Sequence, residues 1–445
     1  MGKRLLTDYG MVLVLLALCV LFSALTVKKQ VPESGRAAAE LAGRIESSFP
    51  KNDLLLAVGA LNRPSTDLAK KLALALKKKG YTNVRVVTGI PRDLRVVLDE
   101  LRSTGEKPAA IATGGYVRKW RLIRFLSEKY PEFASCRLLL PRTYVWPDFL
   151  KRSNLLAVVD RIVVIAVIAV GMTMVIITAG IDLSVGSLIA LSAVISTLVM
   201  KKLGGLNAPA WAVPVGFLAG ILSCGLMGGL GGFVVARFKV APFITTLAIM
   251  MVARGLAFMI TGGFSIYQVP KALTWLGQGR SLFVPNTVIV LFALYVAAHV
   301  FMTHTRLGRY IYAVGGNSEA ARLSGVPVGF VIVFVYVVSG LTAGLGGCIQ
   351  ASQLNTGTPS MGVMYELYVI AAVVVGGTSL AGGSGRILGT LIGAFIISVI
   401  QNGMNLLGIE SYTQQVVLGA VILAAVLLDK ARSMSSRPGP PAAET

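Results

Sequence analysis

The chain has 445 residues, 55% hydrophobic and 14% charged, with a formal net charge of +22. A soluble domain carries roughly a quarter charged residues, so an ordinary soluble fold is excluded. Membrane proteins gather Lys and Arg in cytoplasmic loops and at lipid headgroups, so the positive excess is read that way and not as a nucleic-acid surface.

Lys3 and Arg4 precede an apolar run from about Gly10 to Val27. Such a run is a signal anchor or a signal peptide. It is long for a signal peptide and no small-x-small cleavage site follows, so residues 1–29 are expected to be an uncleaved first transmembrane helix with a cytoplasmic N-terminus.

Residues 30–145 differ in texture. Leu54 to Val58 reads as a buried strand. Ser65 or Thr66 then caps a helix carrying Leu68, Leu72, Leu74 and Leu76. Val84 to Val87 reads as a second strand and Asp93 to Leu101 as a second helix. Ala109 to Ala112 is a third strand, and a helix through Trp120, Leu122, Ile123 and Leu126 follows Gly114-Gly115. Leu138 to Leu140 is a candidate fourth strand. Alternating strands and helices predict a small α/β insert with a parallel sheet. Residues 28–145 hold 23 basic and 11 acidic side chains, a surplus of twelve. Gly114-Gly115 is placed where backbone N–H groups can hold an anion, but without a G-x-G-x-x-G run the favoured reading is a turn that needs flexible φ/ψ.

Trp146 to Asp160 reads as amphipathic and interfacial. Nine apolar segments follow at about 161–179, 186–203, 210–235, 241–262, 284–304, 329–351, 366–382, 387–407 and 412–428. With the first helix they predict an all-α polytopic bundle of about ten spans over residues 146–432. Arg237, Lys239, Arg306, Arg309, Arg322, Arg386, Lys430 and Arg432 then fall in inside loops. The excess of basic residues there favours cytoplasmic termini and an extracytoplasmic insert. The Pro/Ser-rich stretch 433–445 reads as a disordered tail.

Two polar breaks interrupt the apolar sequence. The first is Gly180-Ile181-Asp182-Leu183-Ser184-Val185-Gly186-Ser187. The second runs from Gly376-Gly377-Thr378-Ser379 through Leu380-Ala381 to Gly382-Gly383. Polar backbone inside a membrane is tolerated where protein or water surrounds it, so both are candidate hinges or walls of a polar path. Asn402 is a candidate for hydrogen-bonding a hydroxyl-bearing cargo or for gluing helices together. Arg254 and Glu366 are intramembrane charges, and Arg254 is free to pair with Glu366 or with helix-end carbonyls.

The loop 306–325 holds Asn317-Ser318-Glu319-Ala320-Ala321-Arg322-Leu323-Ser324-Gly325. Asn317 or Ser318 can cap a short helix that Gly325 stops. The residues leave two readings open: a lever that docks in a groove of a partner protein, or an ordinary interfacial helix. No G-x-x-x-x-G-K-[ST] run occurs, so the chain has no phosphate loop of that kind. The isolated His299 and His304 suggest neither a metal site nor a nucleophile–His–acid set. The four scattered cysteines imply no metal or disulfide framework.

The run from Ala169 to Ser187, the run Thr305 to Asn317 with Ala321-Arg322-Leu323-Ser324-Gly325, and the run Val375 to Gly383 together resemble the membrane permeases of bacterial ribose-type sugar ABC importers. The likeness covers the first helix and about 147–429. It implies that two such permeases, identical or paired, form a pore in the bacterial inner membrane. Two cytoplasmic ATPases that bind ATP and Mg would drive it, with no cofactor held in this chain. A periplasmic binding protein would deliver a monosaccharide of the ribose, xylose or galactose kind. It also implies that Asn317 to Gly325 transmits ATPase closure, which favours the lever. The insert departs from the family pattern. A membrane receptor would need a signalling domain, and the stretch after Asp429 is short. A proton-coupled carrier would need a titratable relay, and Asp182, Arg254 and Glu366 form no evident chain.

Overall fold

The computed structural model describes residues 2–281 and 283–435, with side chains described from Gly10 to Leu427 apart from Arg63 and Leu282. The chain forms two compact units, residues 27–148 and residues 1–26 with 149–445. Helix α1 (Gly2–Leu25) opens the larger one.

The smaller unit contains β1 (Val27–Gln30), α2 (Gly35–Glu46), β2 (Leu55–Ala60), α3 (Arg63–Lys78), β3 (Val84–Gly89), α4 (Pro91–Thr104) and β4 (Ala110–Thr113). Two one-turn helices, α5 (Arg121–Arg124) and α6 (Leu126–Lys129), lead to β5 (Arg137–Leu139) and β6 (Tyr144–Pro147). The central sheet has the order β3-β2-β4-β5, and each pairing in it is parallel. Every residue of β2 is buried, as expected of a strand with both faces covered. Leu41, Ile45, Leu68 and Leu72 pack with Leu55 and Ala57 in one apolar cluster, while Leu94, Leu98 and Phe133 pack with Leu56 and Val58 in another. Strands β1 and β6 pair antiparallel where the chain enters and leaves, with Val27 opposite Pro147.

Local readings differ from the sequence in four places. Asn62, not Ser65 or Thr66, caps α3, its Oδ1 accepting from Ser65 N at 3.0 Å. Leu74 points outward while Leu68, Leu72 and Leu76 are buried. The basic helix after Gly114-Gly115 is broken, because Trp120 is extended between a 3₁₀ turn and α5. The Gly114-Gly115 turn receives the unit's own carboxylate: Tyr116 N donates to Glu33 Oε1 at 3.0 Å, and Glu33 fills the space a Cβ on Gly114 would need. Helix α2 and the β1–β6 ribbon had no clear sequence signal.

The larger unit continues with α7 (Arg152–Ile177), α8 (Val185–Lys202), α9 (Ala212–Phe238) and α10 (Pro242–Thr261). Then come α11 (Thr274–Gly277), a hairpin of β7 (Arg280–Ser281) and β8 (Val284–Pro285), α12 (Asn286–His304), α13 (Arg306–Gly316) and α14 (Ser318–Leu323). It closes with α15 (Val328–Leu354), α16 (Tyr365–Val375), α17 (Ile387–Leu406) and α18 (Ser411–Ser435). Every residue of α7 from Ile162 to Ile177 is buried, so a helix apolar all round forms the centre of the unit. Helices α9 and α15 approach closely: Gly228 lies against Tyr336 O and Gly340 against Cys224 O, with no room for a Cβ at either. Small residues let backbones meet in this way where lipid offers no hydrophobic drive.

Seven helices among the described residues are long and apolar enough to cross a membrane, with shorter apolar helices at Gly10–Leu25, Tyr365–Val375 and Ser411–Leu427. The expected span at 366–382 is corrected. Helix α16 has 11 residues, about 16 Å at the usual rise against a hydrocarbon core of about 30 Å. It stops because Gly377 takes φ +85° and Gly376 is pressed against Gly389 and Thr390 of α17. The interfacial segment expected at 146–160 is also corrected, since from Arg152 it is the first turns of α7. Helix α18 continues to Ser435, and the rest of the tail expected at 433–445 lies outside the described residues.

Candidate functional site

The first break joins α7 to α8. Ala179 takes φ +60° and turns the chain out of α7, and Gly180 N closes the turn on Val175 O at 3.0 Å. Asp182 is fully buried. Its Oδ1 accepts from Ser184 N at 2.9 Å and Ser184 Oγ at 2.6 Å, and its Oδ2 accepts from Ser339 Oγ of α15 at 2.7 Å. Ile181 O accepts from Thr246 Oγ1 of α10 at 3.2 Å and from Tyr336 OH of α15 at 3.4 Å. Gly180 is small because the Tyr336 hydroxyl lies 2.7 Å from where its Cβ would be. The polar atoms that left the helix ladder are thus satisfied by neighbouring helices, as burial requires.

Gly186, on the first turn of α8, lies between two charged side chains. Arg254 of α10 donates through Nη1 to Pro359 O at 2.9 Å and Met361 O at 2.7 Å, and through Nη2 to Gly186 O at 3.3 Å. Glu366, in the first turn of α16, presses its carboxylate on Gly186 from another side. Both partners open to Arg254 are present: carbonyls accept its hydrogen bonds, and Glu366 is near enough to act on it electrostatically. One guanidinium holds the 355–364 segment against α8, a task suited to a planar fork of donors.

The second break follows α16. Thr378 is buried and its Oγ1 has no hydrogen-bond partner among the described residues. Ser379 N donates to Ser384 O at 3.1 Å and Gly382 N to Ser379 O at 3.1 Å, closing a tight turn. Gly382 and Gly383 take φ +85° and +74°, a region that favours glycine. Gly383 N then donates to Ile177 O, the last residue of α7, at 2.8 Å.

Helix α13 ends at the same point. Gly315 is packed against Ile177 O and Gly383 N, and Tyr312 OH donates to Gly385 O at 2.9 Å. The structure therefore brings the two breaks and the loop helix together, which their positions in sequence did not reveal.

Asn317 caps α14, its Oδ1 accepting from Ala320 N at 3.0 Å, and Gly325 takes φ +81° just past its end. Arg322 pairs with Glu319 at 2.8 Å on the exposed face. Ala321 is buried in its own bundle, whereas Ser318, Ala320, Ser324 and Leu323 are exposed, Leu323 at 83%. Asn402 lies on α17 away from these breaks and spends its amide on Asn154 Oδ1 of α7 at 3.1 Å, which is helix glue.

Ser339, Tyr336, Gly315 and Ile177 were not singled out from sequence. Tyr336 and Ser339 did carry a signal, two polar groups at i and i+3 inside the apolar run 329–351.

The family model described as branched-chain amino acid transport system / permease component matches residues 154–426. The smaller unit lies outside that match. The ribose import permease protein RbsC of Escherichia coli (strain K12) is 45% identical over 288 residues, which are 64% of this chain and 87% of that protein. The protein of the same name from Haemophilus influenzae is 43% identical over 313 residues, 69% of this chain and 94% of its own length. The L-arabinose transport system permease protein AraH of E. coli (strain K12) is 35% identical over 305 residues, 68% of this chain and 89% of its own. No solved structure matches. The apolar helices, the two breaks and these matches converge: the chain belongs to this permease family and is a multi-pass membrane subunit of a transporter.

Proposed function

We propose that the chain is the pore-forming subunit of an ATP-driven importer for a monosaccharide, the class of cargo named for its ribose and arabinose relatives. It pairs with a second permease, identical or related. Cytoplasmic ATPases supply the energy and hold ATP and Mg, and an exported binding protein delivers the sugar. The termini and α14 are cytoplasmic, the 27–148 unit is extracytoplasmic, and about ten crossings are completed by α1, α18 and α16, the last a half-helix that the non-helical 376–386 segment carries across.

One observation carries this reading. The exposed helix α14 continues α13, whose Gly315 touches both Ile177 at the first break and Gly383 at the second. Push on α14 reaches two interruptions of the bundle through backbone contacts that have little slack. A packed junction of this kind responds by switching between arrangements more readily than by stretching. Alternating access follows if ATPase closure biases the bundle between outward-open and inward-open states.

The test is purification of the tagged chain from its own host. A cytoplasmic ATPase and an exported binding protein should come with it. Reconstituted with them, it should import labelled sugar on ATP without a proton gradient. Vesicles that stay sealed to ribose, allose and arabinose under those conditions would overturn the reading. Placement of the smaller unit is tested by Ser103→Cys, at an exposed position, which should react with an impermeant maleimide in cells with a permeabilised outer membrane.

A further inference from the structure

A cavity of about 340 Å³ opens where α15 ends and the 355–364 segment turns into α16. That volume is at the low end for small-molecule sites, which run from about 300 to 1,000 Å³. Its polar lining is Gln350, Thr358, Ser360 and Tyr365, with Leu354 and Met361 among the apolar residues, and no charged side chain lines it.

The polar groups are unequally satisfied. Thr358 Oγ1 is bonded to Ser265 Oγ at 2.9 Å. Gln350 Nε2 donates to Tyr365 OH at 3.2 Å and leaves Oε1 as the free end. That Oε1 is buried and has no hydrogen-bond partner among the described residues. A buried amide oxygen without a donor costs stability unless something supplies one. Ser360 is exposed. The Tyr365 ring meets that of Tyr368 edge-on at 6.1 Å, so the aromatic wall is braced. The segment itself is held by Arg254, which grips Pro359 O and Met361 O on either side of Ser360.

An orphaned acceptor, two hydroxyls and an aromatic wall, all uncharged, match a neutral ligand rich in hydroxyls. They do not match an anion or a cation, either of which needs a countercharge. We propose that this cavity is a sugar subsite of the translocation path, in which the Gln350 amide turns its Oε1 to accept from one sugar hydroxyl while Ser360 and Tyr365 exchange hydrogen bonds with others. The proposal rests on the monosaccharide reading above. It makes Arg254 a positioning residue, setting Ser360 through the carbonyls that flank it.

The test uses the complete importer in proteoliposomes with saturating ribose-loaded binding protein. Labelled ribose uptake and stimulated ATP hydrolysis are read side by side for the wild type, Gln350→Met, Gln350→Glu and Ser360→Ala. Losing one hydrogen bond to the cargo should slow uptake by roughly tenfold in Gln350→Met. Gln350→Glu, which keeps an acceptor, should recover most of it, and Ser360→Ala should slow uptake more mildly. Stimulated hydrolysis should stay at the wild-type rate in all three. Unchanged uptake in both Gln350→Met and Ser360→Ala overturns the subsite. So does a parallel loss of uptake and hydrolysis in both, because that marks a structural defect. A wild type that imports neither ribose, allose nor arabinose instead overturns the monosaccharide reading, and the subsite with it.

Discussion

Gly315 of the loop helix abuts the carbonyl oxygen of Ile177 at the end of α7, and no Cβ fits between them. The same carbonyl accepts from Gly383 N at 2.8 Å. One atom thus joins the 306–325 loop to both glycine breaks.

Gly315→Ala should therefore damage both packing and coupling. Overfilling a packed site costs about 1–3 kcal/mol. The variant should unfold at a lower temperature in detergent and import roughly tenfold more slowly, the factor that corresponds to about 1.4 kcal/mol. Gly316→Ala is the control, since a Cβ there meets nothing within 4 Å. Equal behaviour of the two variants would count against the junction.

Ser339→Ala removes the donor to Asp182 Oδ2. Leaving that buried oxygen unsatisfied should cost about 1–3 kcal/mol, read as a lower unfolding temperature in detergent. Ser339→Thr keeps a hydroxyl and should lose less. An Ala variant as stable as the wild type would show that Asp182 is not the tie between the first break and α15.

Arg322→Glu and Leu323→Asp change side chains on the exposed face of α14. Surface changes of this kind stay within about 0.5 kcal/mol of wild-type stability. Membrane insertion and unfolding temperature should hold, while recovery of the ATPase in a pull-down should fall sharply. Normal ATPase recovery from both variants would argue against α14 as the docking element.

Cys136, in the smaller unit, has its thiol pushed up to about 11 by burial, against a smaller opposing effect of a backbone hydrogen bond at Ile111. At pH 8 only about one thiol in a thousand is then thiolate, the reactive form. Peptide mapping after iodoacetamide at pH 8 should find Cys136 largely unmodified, with the rate climbing as pH rises toward 11. Rapid labelling at pH 8 in the folded protein would contradict that environment.

Much of the architecture was legible because it rests on local pattern. Long apolar runs mark α7, α9, α10 and α15, and the alternation of short apolar strands with amphipathic helices marks β2, α3, β3 and α4. The Asn317 cap and the Gly325 stop are signals within a single turn, and they frame α14 as expected. The 366–382 run misled because apolar composition does not register where a backbone must bend. Gly376-Gly377 ends α16 through contact with Gly389 and Thr390, which lie on the next helix.

The site itself was half legible. Asp182, Arg254 and Glu366 stood out because charge in apolar sequence is costly. Their partners did not: Ser339 is 157 residues from Asp182, and the carbonyl of Pro359 is 105 from Arg254. Nothing in the spacing of such residues announces a contact.

By itself, the order of residues determined that this is a polytopic membrane subunit with an α/β unit after its first helix, because hydrophobic length and periodicity are carried by neighbours along the chain. Only the tertiary structure decided that the two breaks meet the loop helix at Ile177, that Asn402 holds Asn154, and that Glu33 occupies the Gly114-Gly115 turn. Those outcomes depend on close approach between remote segments, where a missing Cβ or a single free acceptor selects the partner.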